Sequence, residues 1–190
     1  SLSDGAMLVD GGINCVVCAT SSHFCSSERQ FRFPLEYGGQ RPPTAQWTVT
    51  GAGSSVVSNS GKGIKIKAVQ IGTITDLGIT DANNMGAAMA PAASRTISTF
   101  LKDTKTSPSD YDLILTGDLG YTGTQLLYEL LEKDHNIKLK GFHKDCGMLI
   151  YDLKKQDVNS GGSGCGCSAS VLCSHIMKQI DKGILKKVLF

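Results

Sequence analysis

The chain has 190 residues, of which 41% are hydrophobic and 19% charged, with a formal charge of +2. That length and composition describe one ordinary globular domain with a real core. No apolar run approaches the length of a transmembrane helix, no secretory signal is visible, and basic residues do not cluster with aromatics beyond the short Arg29–Arg32 stretch, so a membrane span or a nucleic-acid partner is not expected. Work at a membrane would then go through partners or as a peripheral subunit.

Residues 2 to 10 read as the end of a helix, stopped by Gly11-Gly12. INCVVCATS (13 to 21) is a continuous, β-branched apolar run, the pattern of a strand buried on both faces. Residues 20 to 53 follow no period for long, yet Phe24, Phe31, Phe33, Leu35, Tyr37 and Trp47 give them too much apolar surface for a disordered linker. So long an irregular segment in a compact domain is expected to bind something. SSVVS (54 to 58) reads as a strand, and a turn at 60 to 63 leads into IKIKAVQIGTI (64 to 74), whose alternation predicts another. A helix is expected over 88 to 104 with Pro91 in its first turn. DYDLILTGD (110 to 118) predicts a buried strand, 122 to 134 an amphipathic helix, and IKLKGF (137 to 142) a short strand. A glycine-rich loop at 159 to 166 leads into a helix over 168 to 183, and LKKVLF closes with a strand. Strands alternate with helices from residue 64 onward, which makes this stretch α/β with a largely parallel or mixed sheet. The chain opens inside a helix and closes on a strand, so it is expected to be a segment of a longer protein.

The seven cysteines lie in apolar or glycine-rich contexts and follow no disulfide scaffold, so free thiols are expected. Cys15-x-x-Cys18 sits within a strand, where a spacing of three sends its side chains to opposite faces; core packing suits it better than metal or redox chemistry. His143-x-x-Cys146 with Cys165 and Cys167 has zinc chemistry but no finger spacing. GGSGCGCSAS is a turn into a helix, where N–H groups and the helix dipole favour an anion or thiolate; a tight packing turn is the alternative. His23 ends a buried strand, where α/β proteins place their sites, and Arg29 and Arg32 follow beside it. Guanidinium binds carboxylate through two parallel hydrogen bonds, so this trio suits a small carboxylate ligand. The alternative is that Arg29 pairs with Glu28 or Glu36 as loop scaffolding. Asp118, at the end of its strand, either meets ligand or a cation or caps the helix that follows.

ATSSHF, ERQFRFPLEYGGQ, TVTGAG, DLGITDANNMGAAMAPAA, DYDLILTGDLG, HKDCGMLIY and GGSGCGCSA together resemble the stage V sporulation protein AD family of endospore-forming bacteria, over essentially the whole chain. The resemblance implies the thiolase-like layered α/β fold of the condensing enzymes, in which two similar halves stack their sheets around buried helices. Residues 1–60, with the long loop 20–53, would be the end of the first half, and 61–190 the second half without its final strands. It implies a protein that binds dipicolinic acid and helps move its calcium chelate into the spore, within an assembly of stage V sporulation A proteins at the spore inner membrane. The chain would then be a peripheral subunit and a homodimer, with no cofactor and no metal ligands, any calcium arriving with the dipicolinate.

Condensing enzymes use a cysteine nucleophile and two polar groups that hold the thioester oxygen. By the resemblance, the cysteine lies upstream of this chain, Gly117-Asp118 stands where a histidine is expected, and Cys165 where an asparagine is. A non-catalytic binding protein on an enzyme scaffold is therefore expected, against an active acyltransferase or a purely structural subunit. Dipicolinate is a flat ring with two carboxylates and needs cations or N–H donors at both ends. The residues with that chemistry are His23, Arg29 and Arg32 from the loop, Gly164 and Cys165 from the glycine-rich turn, and Asp118 beside it.

Overall fold

The computed structural model describes residues 2–25 and 41–190 as a mixed α/β chain. Helix α1 (Leu2–Asp10) ends where Gly11 N–H donates to the Met7 carbonyl and Gly12 takes φ of 107°, a left-handed conformation that glycine adopts without steric cost. Strands β1 (Cys15–Ser22) and β3 (Gly51–Ser58) form an antiparallel ribbon, with Cys15 opposite Ser58 and Ser22 opposite Gly51. Between them the two-residue strand β2 (Trp47–Thr48) forms inside the segment 20–53 expected to be irregular.

The expectation that β1 is buried on both faces is corrected. Val16, Cys18, Thr20 and Ser22 are half-buried, whereas Cys15, Val17, Ala19 and Ser21 are exposed. Val17 and Val56, paired across the ribbon, are each 68% exposed. Among the described residues, helices cover one side of the ribbon only, so an all-apolar strand leaves its second face open.

The strand expected at 64 to 74 is likewise not formed. Residues 64–80 hold no regular structure, and Ile71 and Ile74 are 70% and 96% exposed. Alternation supplies side chains fit for a sheet, but a strand also needs a neighbour's N–H and C=O groups, and none of the described strands pairs with this segment.

Helix α2 (Met85–Thr104) begins three residues before the expected start, because the Asn84 side chain accepts from Ala87 N–H as its cap. Pro91 thus lies inside the helix, not in its first turn. Strand β4 (Leu113–Thr116) is followed by α3 (Gly120–His135), which closes on Asn136 in the left-handed region. Ile137 N–H is used by that closure, donating to the Leu131 carbonyl, so the strand expected at 137–142 forms later, as β5 (His143–Asp145). The short α4 (Cys146–Leu149) leads on to β6 (Gly162–Ser163), which lies parallel to β2. Helix α5 (Cys165–Val171) passes through a π-turn at Leu172–Ile176 into α6 (Met177–Asp181), and β7 (Val188–Leu189) closes the chain.

Strand β4 lies between β5 and β7, all parallel. Its alternation builds the core on both sides of this sheet. Leu113 and Leu115 pack with Cys146, Cys167, Val171 and Ile176, while Ile114 packs with Ile97, Leu101, Leu127, Leu131 and Leu139 from the α2–α3 side. Leu127 and Leu131 are fully buried, each contributing about 1.5–3 kcal/mol by leaving water. The sheet thus aims the C-terminal ends of β4 and β5 at the turn before α5.

Candidate functional site

Of the sequence-derived site residues, Asp118, Gly164 and Cys165 come together where β1 ends and α5 begins, and His23 lies two residues beyond Ser21, whose carbonyl takes the Cys165 thiol. Glycine makes the approach possible. A Cβ on Gly166 would lie 2.4 Å from the Gly51 carbonyl oxygen and 2.7 Å from Ser22 N, and one on Gly53 would lie 2.6 Å from the Ala169 carbonyl oxygen. The start of α5 can therefore sit directly on the ribbon, which no larger residue at these positions would allow.

Hydrogen bonds stitch the junction. Gly166 N–H donates to Ser22 Oγ at 2.9 Å, and Ser22 Oγ donates onward to the Val49 carbonyl at 2.5 Å. The Cys165 thiol, exposed, donates to the Ser21 carbonyl at 2.9 Å. Gly164, at φ of 97°, directs its N–H to Asp118 Oδ2 at 2.8 Å. Asp118 therefore spends an oxygen on the glycine-rich turn, and the N-terminal end of α3 is capped instead by Asp145, which accepts from Leu119 and Gly120 N–H. Of the two roles left open for Asp118, helix capping is the one the geometry removes.

His23 stands exposed one residue beyond β1, its Nδ1 lying 3.5 Å from Thr50 Oγ1, which also accepts from Phe24 N–H. Phe24 stacks on Trp47 with ring centroids 4.7 Å apart. The Arg41 guanidinium lies 5.1 Å from the Trp47 ring centroid, over its face, and also pairs with Asp157. Arg29 and Arg32 lie outside the described residues. A shallow hollow of about 620 Å³ adjoins the rim on the open ribbon face, lined by Ala19, Thr20, Ser21, Ala52, Gly53 and Ser54. Those six carry no charge.

Behind the rim lies a buried polar relay. Thr116 Oγ1 donates to Asp145 Oδ2 at 2.7 Å and lies 2.8 Å from His143 Nε2, while Tyr128 OH lies 3.1 Å from His143 Nδ1. The threonine's single proton goes to Asp145, so it accepts from Nε2–H, and Nδ1 accepts from the tyrosine. Desolvation holds His143 down at about 4, in keeping with this neutral tautomer. Burial pushes the Asp145 carboxyl up, bonds from Thr116, Gly120 and Leu119 pull it back, and the nearby Asp118 charge adds to the rise. Both ring nitrogens of His143 are thus engaged by hydroxyls, and no group of three or more metal-ligating side chains occurs among the described residues. All seven cysteines are free thiols. Burial pushes Cys167 up to about 12 and Cys146 higher still, so both stay protonated.

Sequence reasoning passed over Ser22, Thr50 and Asp145. Ser22 and Thr50 look like ordinary strand-end polar residues. Their partners lie far along the chain, Ser22 with Gly166 and Thr50 with His23, and only the fold pairs them.

The model of the stage V sporulation protein AD (SpoVAD) family matches residues 1–190. The stage V sporulation protein AD of Bacillus subtilis (strain 168) is 50% identical over 183 residues, covering 95% of this chain and 53% of the relative. The chain thus spans about half the length of the curated relative it matches.

Proposed function

The chain belongs to the stage V sporulation protein AD family, and we propose that it binds dipicolinic acid without chemical turnover, free or as its calcium chelate, as a peripheral subunit of a sporulation assembly at the spore inner membrane. The observation that carries this reading is the bond of the Cys165 thiol to the Ser21 carbonyl, which holds the glycine-rich turn against the strand end that leads into His23 and the stacked Phe24–Trp47 pair. A flat dianion needs hydrogen-bond donors at its ends and apolar faces along its ring; the exposed His23 ring and the Phe24–Trp47 pair have that chemistry, and the Cys165 thiol would have to leave the Ser21 carbonyl to join them. Arg29 and Arg32 would add the charge. Asp118 serves the site through Gly164, because a carboxylate on the anion itself would repel it.

Of the chain's own thiols, Cys146 and Cys167 are held protonated by burial and make poor nucleophiles. No helix among the described residues is long and apolar enough to cross a membrane, in keeping with attachment through partners. The thiolase-like architecture is part of the same proposal; its support is a parallel sheet with helices on both faces.

A second reading, a subunit that only docks other proteins or a second copy of itself, is favoured by the open ribbon face around Val17 and Val56. Calorimetric titration with dipicolinate, alone and with calcium, separates the two. Heat of binding with no turnover of a coenzyme A thioester supports the ligand site. Silence up to millimolar ligand supports pure docking, and acyl transfer would overturn both.

A further inference from the structure

We propose that buried Asp145 is a positioning residue for the rim: it fixes the loop between β4 and α3, through which Asp118 holds the Gly164–Cys165 turn in place. The identity of the bound ligand rests on the reading above; the mechanical link does not.

Asp145 is 1% exposed and ends β5. Its Oδ1 accepts from Gly120 N–H at 2.9 Å, and its Oδ2 from Leu119 N–H at 2.9 Å and Thr116 Oγ1 at 2.7 Å. One carboxylate therefore grips both ends of the loop 117–119, from the last residue of β4 to the first of α3. The other side of that loop grips the rim. Asp118 Oδ2 accepts from Gly164 N–H, the Asp118 carbonyl accepts from Gln46 Nε2 at 2.8 Å, and the Gly117 carbonyl faces the Cys167 thiol at 3.8 Å. Gly164 has little room to follow a displaced loop independently, since its Cβ position lies 3.0 Å from Ser22 Oγ.

The chemistry calls for a carboxylate and not its amide. Two backbone N–H groups and one hydroxyl all donate to Asp145, so each oxygen must accept. An asparagine would turn an NH₂ toward one of those donors and leave it unpaired in a buried site. The neutral His143 sets the hydroxyl proton of Thr116 on the Asp145 side, so the relay behind the carboxylate orients it as well.

The test compares Asp145→Asn, Asp118→Ala and their double variant, reading the alkylation rate of Cys165 by iodoacetamide against that of Cys15, an exposed thiol at the far end of β1. Both single variants should speed Cys165 by about threefold or more as its bond to Ser21 loosens, with Cys15 unchanged. Dipicolinate affinity should fall about tenfold in each, and the double variant should be no worse than the weaker single one. Unchanged Cys165 kinetics in a destabilised Asp145→Asn, or additive losses in the double variant, would overturn the link. Should Asp145→Asn not fold, Thr116→Val removes only the hydroxyl; a Cys165 rate equal to that of the unmodified chain there would be equally fatal. If the unmodified chain takes up no dipicolinate, the ligand reading falls and the alkylation rates alone decide the positioning role.

Discussion

Gly86 on α2 and Gly123 on α3 meet backbone to backbone. A Cβ on Gly86 would lie 2.6 Å from Gly123 N, and one on Gly123 would lie 2.9 Å from the Gly86 Cα. The two helices cover one face of the sheet, and this contact sets how closely they cross. Alanine at Gly86 would gain roughly 1 kcal/mol of helix propensity. Overpacking a backbone contact costs about 1–3 kcal/mol, and no flexible side chain is present to yield. Gly86→Ala is therefore expected to destabilise the chain by up to about 2 kcal/mol, read as a lower urea midpoint at unchanged slope.

If a guanidinium of the long loop holds a ligand carboxylate, Arg29→Ala should weaken dipicolinate binding by about 1.5–3 kcal/mol. Thermal unfolding of the free chain should barely change. Calorimetry on the variant checks this, and unaltered affinity would remove Arg29 from the site.

His143 makes stability depend on pH in a fixed direction. Its folded value of about 4 lies below the reference 6.5, so the fold holds the ring neutral while the unfolded chain protonates first. The contribution is whole above pH 6.5 and is lost as pH falls toward 4, amounting to about 3 kcal/mol at 1.36 kcal/mol per pH unit. Asp145, raised by burial, works the other way, because its folded form takes up a proton before the unfolded chain does. The urea midpoint should still drop between pH 7 and pH 4, and His143→Gln should flatten that slope.

Where local pattern and tertiary partner agreed, the sequence was enough. TGTQLLYELLEKD carries a 3.6-residue apolar stripe that ends in Leu127 and Leu131 at full burial, and DYDLILT alternates between two cores. IKIKAVQIGTI misled because alternation says nothing about whether an adjacent strand is there to pair with. For the candidate site, the place of His23 at a strand end and of Gly164 and Cys165 at a helix start was legible from local pattern. Asp145 was not. HKD lies just beyond the strand expected at 137–142, and the burial of His143 and Asp145 comes from Tyr128, Thr116 and the α3 terminus, partners set by the parallel pairing of β4 with β5.

The exposed pair Val17 and Val56 should accept a charge at little cost to the fold. Val17→Asp is expected to change stability by no more than about 0.5 kcal/mol, since neither side chain enters a core. If this face meets a second copy, the same variant should shift the sedimentation profile toward monomer. Identical profiles would show that the face is not a self-association surface.

Trp47 is the chain's single tryptophan, and it lies sandwiched near Phe24 and Arg41, outside both leucine-rich cores. Nature has in effect placed an optical probe there. Its emission will follow events at that edge and stay largely blind to the interior, so fluorescence-monitored denaturation and circular dichroism need not coincide. A small molecule settling beside the indole should announce itself by quenching, with no label attached.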